Sequence, residues 1–251
     1  MTATRGMGRR GVLAAAAAAL AGCQQPGQPG APGESAQDTT PRSGPNRTGY
    51  IGIQAPIVSR LRDLFIADVG KLLDRGASEI YVLLSSPGGV VGAAQDMIAF
   101  MDRTHAERGV RFTMHNTGVV ASAACYVFLA GQRRLSVPRG TFMFHEAALV
   151  ADGPITSLRL HEASAKMRQI ERSFLSMLTS KTRLKEAEAA SFIHRTVILN
   201  AEEARRDGIV EAVSGFALPP GATIFQIQAV SNRPAGTPGG AGPARRPEPG
   251  A

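Results

Sequence analysis

Tryptophan is absent from the 251 residues, and aromatic side chains make up only 5% of them. So sparse a supply leaves no aromatic platform for sugar rings or stacked bases. Cysteine is scarcer still, with Cys23 and Cys125 alone. Histidine occurs five times, at 105, 115, 145, 161 and 194, and no spacing among these is that of a metal site. Phosphate-cradling and adenine-binding motifs are missing too, so neither a metal nor an organic cofactor is expected.

Charge of one sign is in excess, but not where a nucleic-acid surface would need it. The net charge is +8. Arg5, Arg9 and Arg10 fall within residues 1–22, while Arg233, Arg245 and Arg246 against Glu248 fall within 231–251. Residues 23–48 balance, which leaves +3 for residues 49–230. The basic excess belongs to the ends, and nucleic acid is discounted as a partner.

What the chain does have begins with its first 22 residues. A basic stretch, an apolar run from Val12 to Ala21 and then small residues form the layout of an export signal. The run is too short to span a bilayer. Arg9 and Arg10 followed by Gly11, Val12 and Leu13 loosely resemble a twin-arginine signal. Leu20-Ala21-Gly22-Cys23 looks like the lipobox of bacterial lipoproteins, where the signal is cut before a cysteine that is then acylated. A plain signal peptide or an Ala-rich helix is the simpler alternative. On the lipoprotein reading, acyl chains on Cys23 hold an exported, periplasmic protein at a membrane face. Gln24, where inner-membrane lipoproteins often carry aspartate, leans towards the outer membrane. Cys125 then has no partner, so no intramolecular disulfide is expected, and its apolar setting suits a buried, inert thiol.

Residues 23–48 follow as a Pro/Gly-rich tether and residues 231–251 as a tail of similar composition. Between them, residues 49–230 read as one folded unit. Strand patterns at TGYIGIQ, at 79–84, 110–114, 135–137, 141–144 and 223–228 alternate with helical ones at 57–73, 90–101, 122–130 and 158–179. Such alternation implies βα units around a largely parallel sheet, with chemistry at strand ends.

Two of those strand ends carry small residues. The turn Ser85-Ser86-Pro87-Gly88-Gly89 joins a strand to a helix, and its N–H groups could face an anion or an oxyanion. Taken alone it is also an ordinary turn. Ser122, within TGVVASAACY, sits where another strand gives way to a helix, so it is a helix N-cap or a nucleophile. A nucleophile needs a base, and His145, ending the strand TFMF, is the candidate.

Taken in order, YVLLSSPGG, TGVVASAACYVFLAG and RRLSVPRGTFMFHEA resemble the serine peptidases of the Clp protease proteolytic subunit (ClpP). The resemblance runs from about Tyr50 to Val213. It implies a ClpP/crotonase-like α/β fold of repeated ββα units, with a mostly parallel sheet and a protruding handle helix. It also implies a proline-containing hairpin before the histidine, with Ser122 as nucleophile and His145 as general base. Gly89 and Ala123 would supply the oxyanion-hole N–H groups. The family's triad acid falls on Thr196, which leaves a Ser-His dyad helped by Thr196, a substitute acid such as Asp207 or Glu146, or a non-catalytic relative. The segment from Ala148 to Thr179 matches the family's handle, a strand and long helix through which rings stack, so a homo-oligomer is expected. A core helix is the alternative. The function implied is hydrolysis of peptide bonds in peptides or unfolded chains, without an ATPase partner if the protein is exported. A peptide-binding scaffold and an acyl-CoA enzyme of crotonase type are the competing readings.

Overall fold

The computed structural model of the protein describes residues 47–148 and 153–228. The expected signal segment, Cys23, nearly all of the tether and the tail lie outside the described residues.

The first half is a run of parallel βα units. β1 (Thr48–Gln54), α1 (Ser59–Asp74), β2 (Glu79–Ser86), α2 (Val91–Arg108) and β3 (Arg111–Ala121) follow in order. β2 pairs in parallel with β1 and with β3. Alternation decides which side is core. Ile80, Val82 and Leu84 on β2 are fully buried, in register with Ile51 and Ile53 of β1 and with Phe112 and Met114 of β3. Against this face α1 lays Leu61, Phe65, Val69 and Leu72, spaced so that they share one side of the helix. α2 adds Met97, Ile98 and Met101. The phenyl ring of Phe65 meets those of Phe100 and Phe112 at centroid distances of 6.3 and 6.5 Å. Burying such a side chain is worth about 1.5–3 kcal/mol.

β3 is longer than its apolar pattern predicts, running on to Ala121 rather than ending at Met114. The polar stretch His115 to Thr117 conceals it, because a strand of polar residues reads as loop. In the fold these groups are satisfied: Tyr81 Oη and His115 Nδ1 are 2.7 Å apart, and Asn116 Nδ2 donates to the Thr141 carbonyl at 3.0 Å. α2 likewise extends past Met101 to Arg108, where Gly109 at φ 67° closes it.

α3 (Ala123–Leu129) is buried at every residue. β4 (Arg133–Ser136) and β5 (Thr141–Phe144) then both pair in parallel with β3, β4 along Thr113–Asn116 and β5 along Val119–Ala121. The expected hairpin around Pro138 is therefore not a hairpin. Asn116 sets the step between the two strands, accepting from Val137 N–H through its carbonyl and donating to Thr141 through its side chain.

α4 (Ser157–Lys181) buries only its second half, through Ile170, Phe174 and Leu178. The Phe174 ring stacks on Tyr126 of α3 at 3.5 Å and 6°. Its first half leaves Leu158 and Leu160 exposed. No strand precedes it at residues 153–156, contrary to the handle pattern, and residues 149–152 lie outside the described set. α5 (Glu186–His194) leads to β6 (Val197–Asn200), which is antiparallel to β5, and then to α6 (Ala201–Arg206), β7 (Ala212–Val213) and β8 (Ile224–Gln228). The sheet order is β6-β5-β3-β2-β1-β8, with β4 beside β3 and β7 beside β4. It is a mixed α/β fold with a mostly parallel sheet.

Candidate active site

The carboxyl ends of β5, β3 and β2 lie side by side in the sheet. Chain continuity thus brings His145, Ser122 and the Pro87–Gly89 turn to one edge. Each is held there for a different reason.

Ser122 is the sole non-glycine residue at positive φ among the described residues, at φ 53° and ψ −128°. A conformation this rare costs about 1–3 kcal/mol and persists only where its surroundings force it. Here the Ser122 N–H donates to the Met143 carbonyl at 2.7 Å, while α3 behind it is fully buried. The Cys125 thiol lies 3.3 Å from the Val120 carbonyl and 3.5 Å from that of Met143, bridging β3 and β5 beneath the serine. Ser122 occupies the N-cap position of α3, but its hydroxyl makes no capping bond. The capping alternative is thereby removed: the sharp turn presents Oγ instead of folding it back.

The turn after β2 needs both its glycines. Gly88 and Gly89 have φ of 93° and 148°. A Cβ on Gly88 would lie 2.6 Å from both Ser122 Cβ and the Ala121 carbonyl oxygen, and 3.1 Å from Ala123 N. The turn therefore passes directly against the serine. A Cβ on Gly89 would collide with the Ile57 carbonyl. Ile57 clamps the turn from its other side, donating to the Gly88 carbonyl and accepting from Val90 N–H, both at 2.7 Å. Among the described residues, neither Gly89 N–H nor Ala123 N–H donates to a turn, loop or cap acceptor. Both remain available to a developing oxyanion.

His145 is half-buried, one residue beyond β5. Its Nδ1 is 2.7 Å from the Glu146 carbonyl oxygen. A carbonyl only accepts, so Nδ1 carries the proton and Nε2 is left as the basic nitrogen. No hydrogen bond joins His145 to Ser122. The antiparallel register pairs Phe144 with Val197 and, one step on, sets Thr196 across from His145. Thr196 is exposed and makes no bond to the imidazole.

The two substitute acids fare differently. Glu146 reaches His145 through its backbone carbonyl. Asp207 caps α6 and its carbonyl accepts from Arg183 N–H, while the next residue's carbonyl meets Arg134 of β4. It thus lies towards β4, beside the early half of β3, and is set apart from His145. Burial raises the Asp207 carboxyl above the usual range, with Arg206 opposing and Glu188 and Glu203 adding to it.

Next to the turn opens a cavity of about 440 Å³, lined by Gly89, Val91, Gly92, Ala147, Met167 and Ile170. Gln95 and Lys166 add polar groups to it. The first-named residue is the candidate oxyanion donor, and Ala147 follows His145 by two positions. Sequence reasoning missed this cavity, because its walls come from α2, the segment after β5 and α4. The strain at Ser122 was also missed, although the small residues Ala121 and Ala123 beside it are the signal that a tight turn fits there.

Among the described residues no group of histidines, cysteines and acids could hold a metal ion. A search of curated proteins finds no match to the chain. A family model, Clp protease, matches residues 36–215. With the glycine turn, the strained serine and the histidine in that order along one sheet edge, this chain belongs to the Clp protease family.

Proposed function

We propose that the protein is an exported, membrane-anchored serine peptidase that cleaves peptide bonds through an acyl-enzyme at Ser122, without an ATP-driven unfoldase. The observation that carries this reading is the strained Ser122 packed against Gly88, with two N–H groups left open beside it.

In the proposed reaction, Ser122 Oγ attacks the scissile carbonyl while His145 Nε2 takes the hydroxyl proton. The oxyanion is received by Gly89 and Ala123 N–H. His145 then gives that proton to the leaving amine as the C–N bond breaks. A water, deprotonated by the same nitrogen, attacks the acyl carbon and returns the serine. The Glu146 carbonyl keeps the imidazole in the tautomer this requires. Thr196 stands where a carboxylate would stabilise the imidazolium, and a hydroxyl does so only weakly. The adjacent cavity suits an apolar side chain next to the scissile carbonyl, since among the described residues lining it only Lys166 is charged.

Assembly from several copies is part of the proposal. Ile155, Leu158 and Leu160 around the start of α4 are 62%, 66% and 59% exposed, an apolar patch that a second copy would cover. Cys23 is the proposed lipid attachment point and the outer membrane of a bacterium the favoured location. There, without ATP, peptides and unfolded segments are the natural substrates.

The missing hydrogen bond between Ser122 and His145 and the hydroxyl at 196 favour a second reading, a peptide-binding relative with little or no turnover. Fluorophosphonate labelling separates the two. The wild type should form an adduct that Ser122→Ala abolishes and His145→Ala strongly slows; folded protein that never forms a serine-dependent adduct sinks the peptidase. Independently, Cys23→Ser should abolish acyl labelling and release the protein from membranes.

A further inference from the structure

The face of the sheet opposite the helices holds a cluster that lies outside the candidate active site. Tyr50, Tyr81 and His115 share that face on β1, β2 and β3. His115 is fully buried, at 0% exposure. Its Nε2 is 3.2 Å from the Ser214 carbonyl and its Nδ1 2.7 Å from Tyr81 Oη. Because a carbonyl only accepts, Nε2 carries the proton and Nδ1 accepts from the tyrosine hydroxyl. The neutral ring is thus fully satisfied.

What covers this cluster is the carboxy-terminal segment. The Phe216 ring sits 5.2 Å from Tyr81, 5.8 Å from His115 and 6.3 Å from Tyr50. The chain then turns through Pro219–Gly221 and returns as β8, the edge strand, parallel to β1 from Tyr50↔Ile224 to Gln54↔Gln228. Residues 216–228 lie beyond the span of the family match. The segment reaches the oxyanion turn in two steps. β8 supports β1, and just beyond β1 Ile57 clamps Gly88 and Val90.

We propose that residues 214–228 form a strap seated by neutral His115, and that protonation of His115 releases the strap and loosens β1 and the oxyanion turn. A second ring proton would point at the Tyr81 hydroxyl, which already uses its hydrogen on Nδ1, and would place a cation on a fully buried ring. Among the described residues no acid acts on His115 to neutralise it. The charged group that acts on His115 is Arg133 of β4, which repels the cation. Tyr81, Tyr50, Glu79 and Arg111 also share this face; Glu79 acts on Tyr81, and its carboxylate is taken by the Thr113 hydroxyl at 2.6 Å and by Arg111 at 3.9 Å.

Burial first, and Arg133 as well, hold His115 below the ordinary imidazole range, against the pull of the Ser214 carbonyl. A depressed imidazole makes the seated state fully stable above the ordinary value of about 6.5 and progressively weaker as pH falls below it.

Hydrogen exchange of the full chain, followed by mass spectrometry and corrected for intrinsic rates, tests this. Between about pH 7.5 and 5.5, protection of residues 215–228 should fall by up to about tenfold, the limit for one proton at an ordinary imidazole, with a smaller fall at residues 87–92. His115→Met, which cannot be protonated, should abolish that pH dependence. Tyr81→Phe, which keeps the ring but removes the bond that favours the neutral form, should move release to higher pH. Unchanged wild-type protection across this range overturns the proposal, as does an equal loss in a folded His115→Met protein. If His115→Met does not fold, an unshifted midpoint in Tyr81→Phe overturns it equally. None of these readouts depends on peptidase activity.

Discussion

The two sides of Ser122 are built to different standards. On the β2 side, Gly88 touches the serine, Ile57 clamps the turn with two 2.7 Å bonds, and a Cβ on Gly88 or Gly89 would collide. On the β5 side, His145 is half-buried, bonded to its own neighbour's carbonyl, and faced by an exposed threonine. Steric fit fixes the half that would receive negative charge, whereas the half that would move protons rests on one bond within the chain. Oxyanion stabilisation gains from being preorganised and dry. An imidazole that must reach Oγ only during reaction can tolerate a looser seat.

If that contrast is right, the largest effect comes from disturbing the rigid side. Gly88→Ala forces a Cβ to within 2.6 Å of Ser122 Cβ at a φ of 93°. Fluorophosphonate adduct formation should slow by about 10²–10³-fold, the cost of losing an oxyanion donor. An adduct rate within a factor of about two of wild type would mean the turn plays no part in the site.

The loose side should respond in the opposite direction. Thr196→Asp puts a carboxylate across from His145, where the β5–β6 register already points. Peptide turnover should rise by roughly 10–100-fold, a fraction of the ~10⁴ that separates aspartate from asparagine in a complete triad. The gain should disappear in the Ser122→Ala background. No gain in a folded variant would show that the Glu146 carbonyl already does what an acid would do.

These two sides were unequally legible in the sequence. The glycines, Ser122 and His145 stand in short motifs at strand ends, and the parallel sheet brings strand ends together without further information. Their meeting at one end of the sheet is therefore expected from sequence alone, while the roles given to them belong to the proposal. By contrast, the turn around Pro138 reads as a hairpin, and only the double use of Asn116 makes β4 and β5 lie along different halves of β3. His115 read as part of a polar connection because its partners, Tyr81 and Ser214, lie 34 and 99 residues away. The cavity beside Gly89 depends on α4 packing through Ile170 and Phe174, a tertiary contact that a helical repeat alone does not locate.

That cavity offers a smaller test on the rigid side. Gly92 lines it, and a Cβ there would meet nothing within 4 Å. Gly92→Phe should therefore enter the space without straining α2, since its backbone is not in the left-handed region. Discrimination between substrates with a bulky and a small side chain before the scissile bond should shift by about tenfold towards the small one, the scale of a few methylenes in an apolar pocket. An equal loss for both would place the substrate side chain elsewhere.

The smallest effect concerns Cys125, three residues beyond Ser122 and the only thiol among the described residues. Its thiol is buried, and burial pushes it far above its ordinary range, with the Met143 carbonyl bond pulling slightly the other way. A thiol so held stays protonated and out of reach of solvent. Iodoacetamide at mildly alkaline pH should leave both Cys125 and the fluorophosphonate rate unchanged until the protein is unfolded. Rapid alkylation of the folded chain with loss of the adduct would mean that the β3–β5 bridge beneath Ser122 opens. The side of the site that looks rigid would then be no firmer than the side that holds His145.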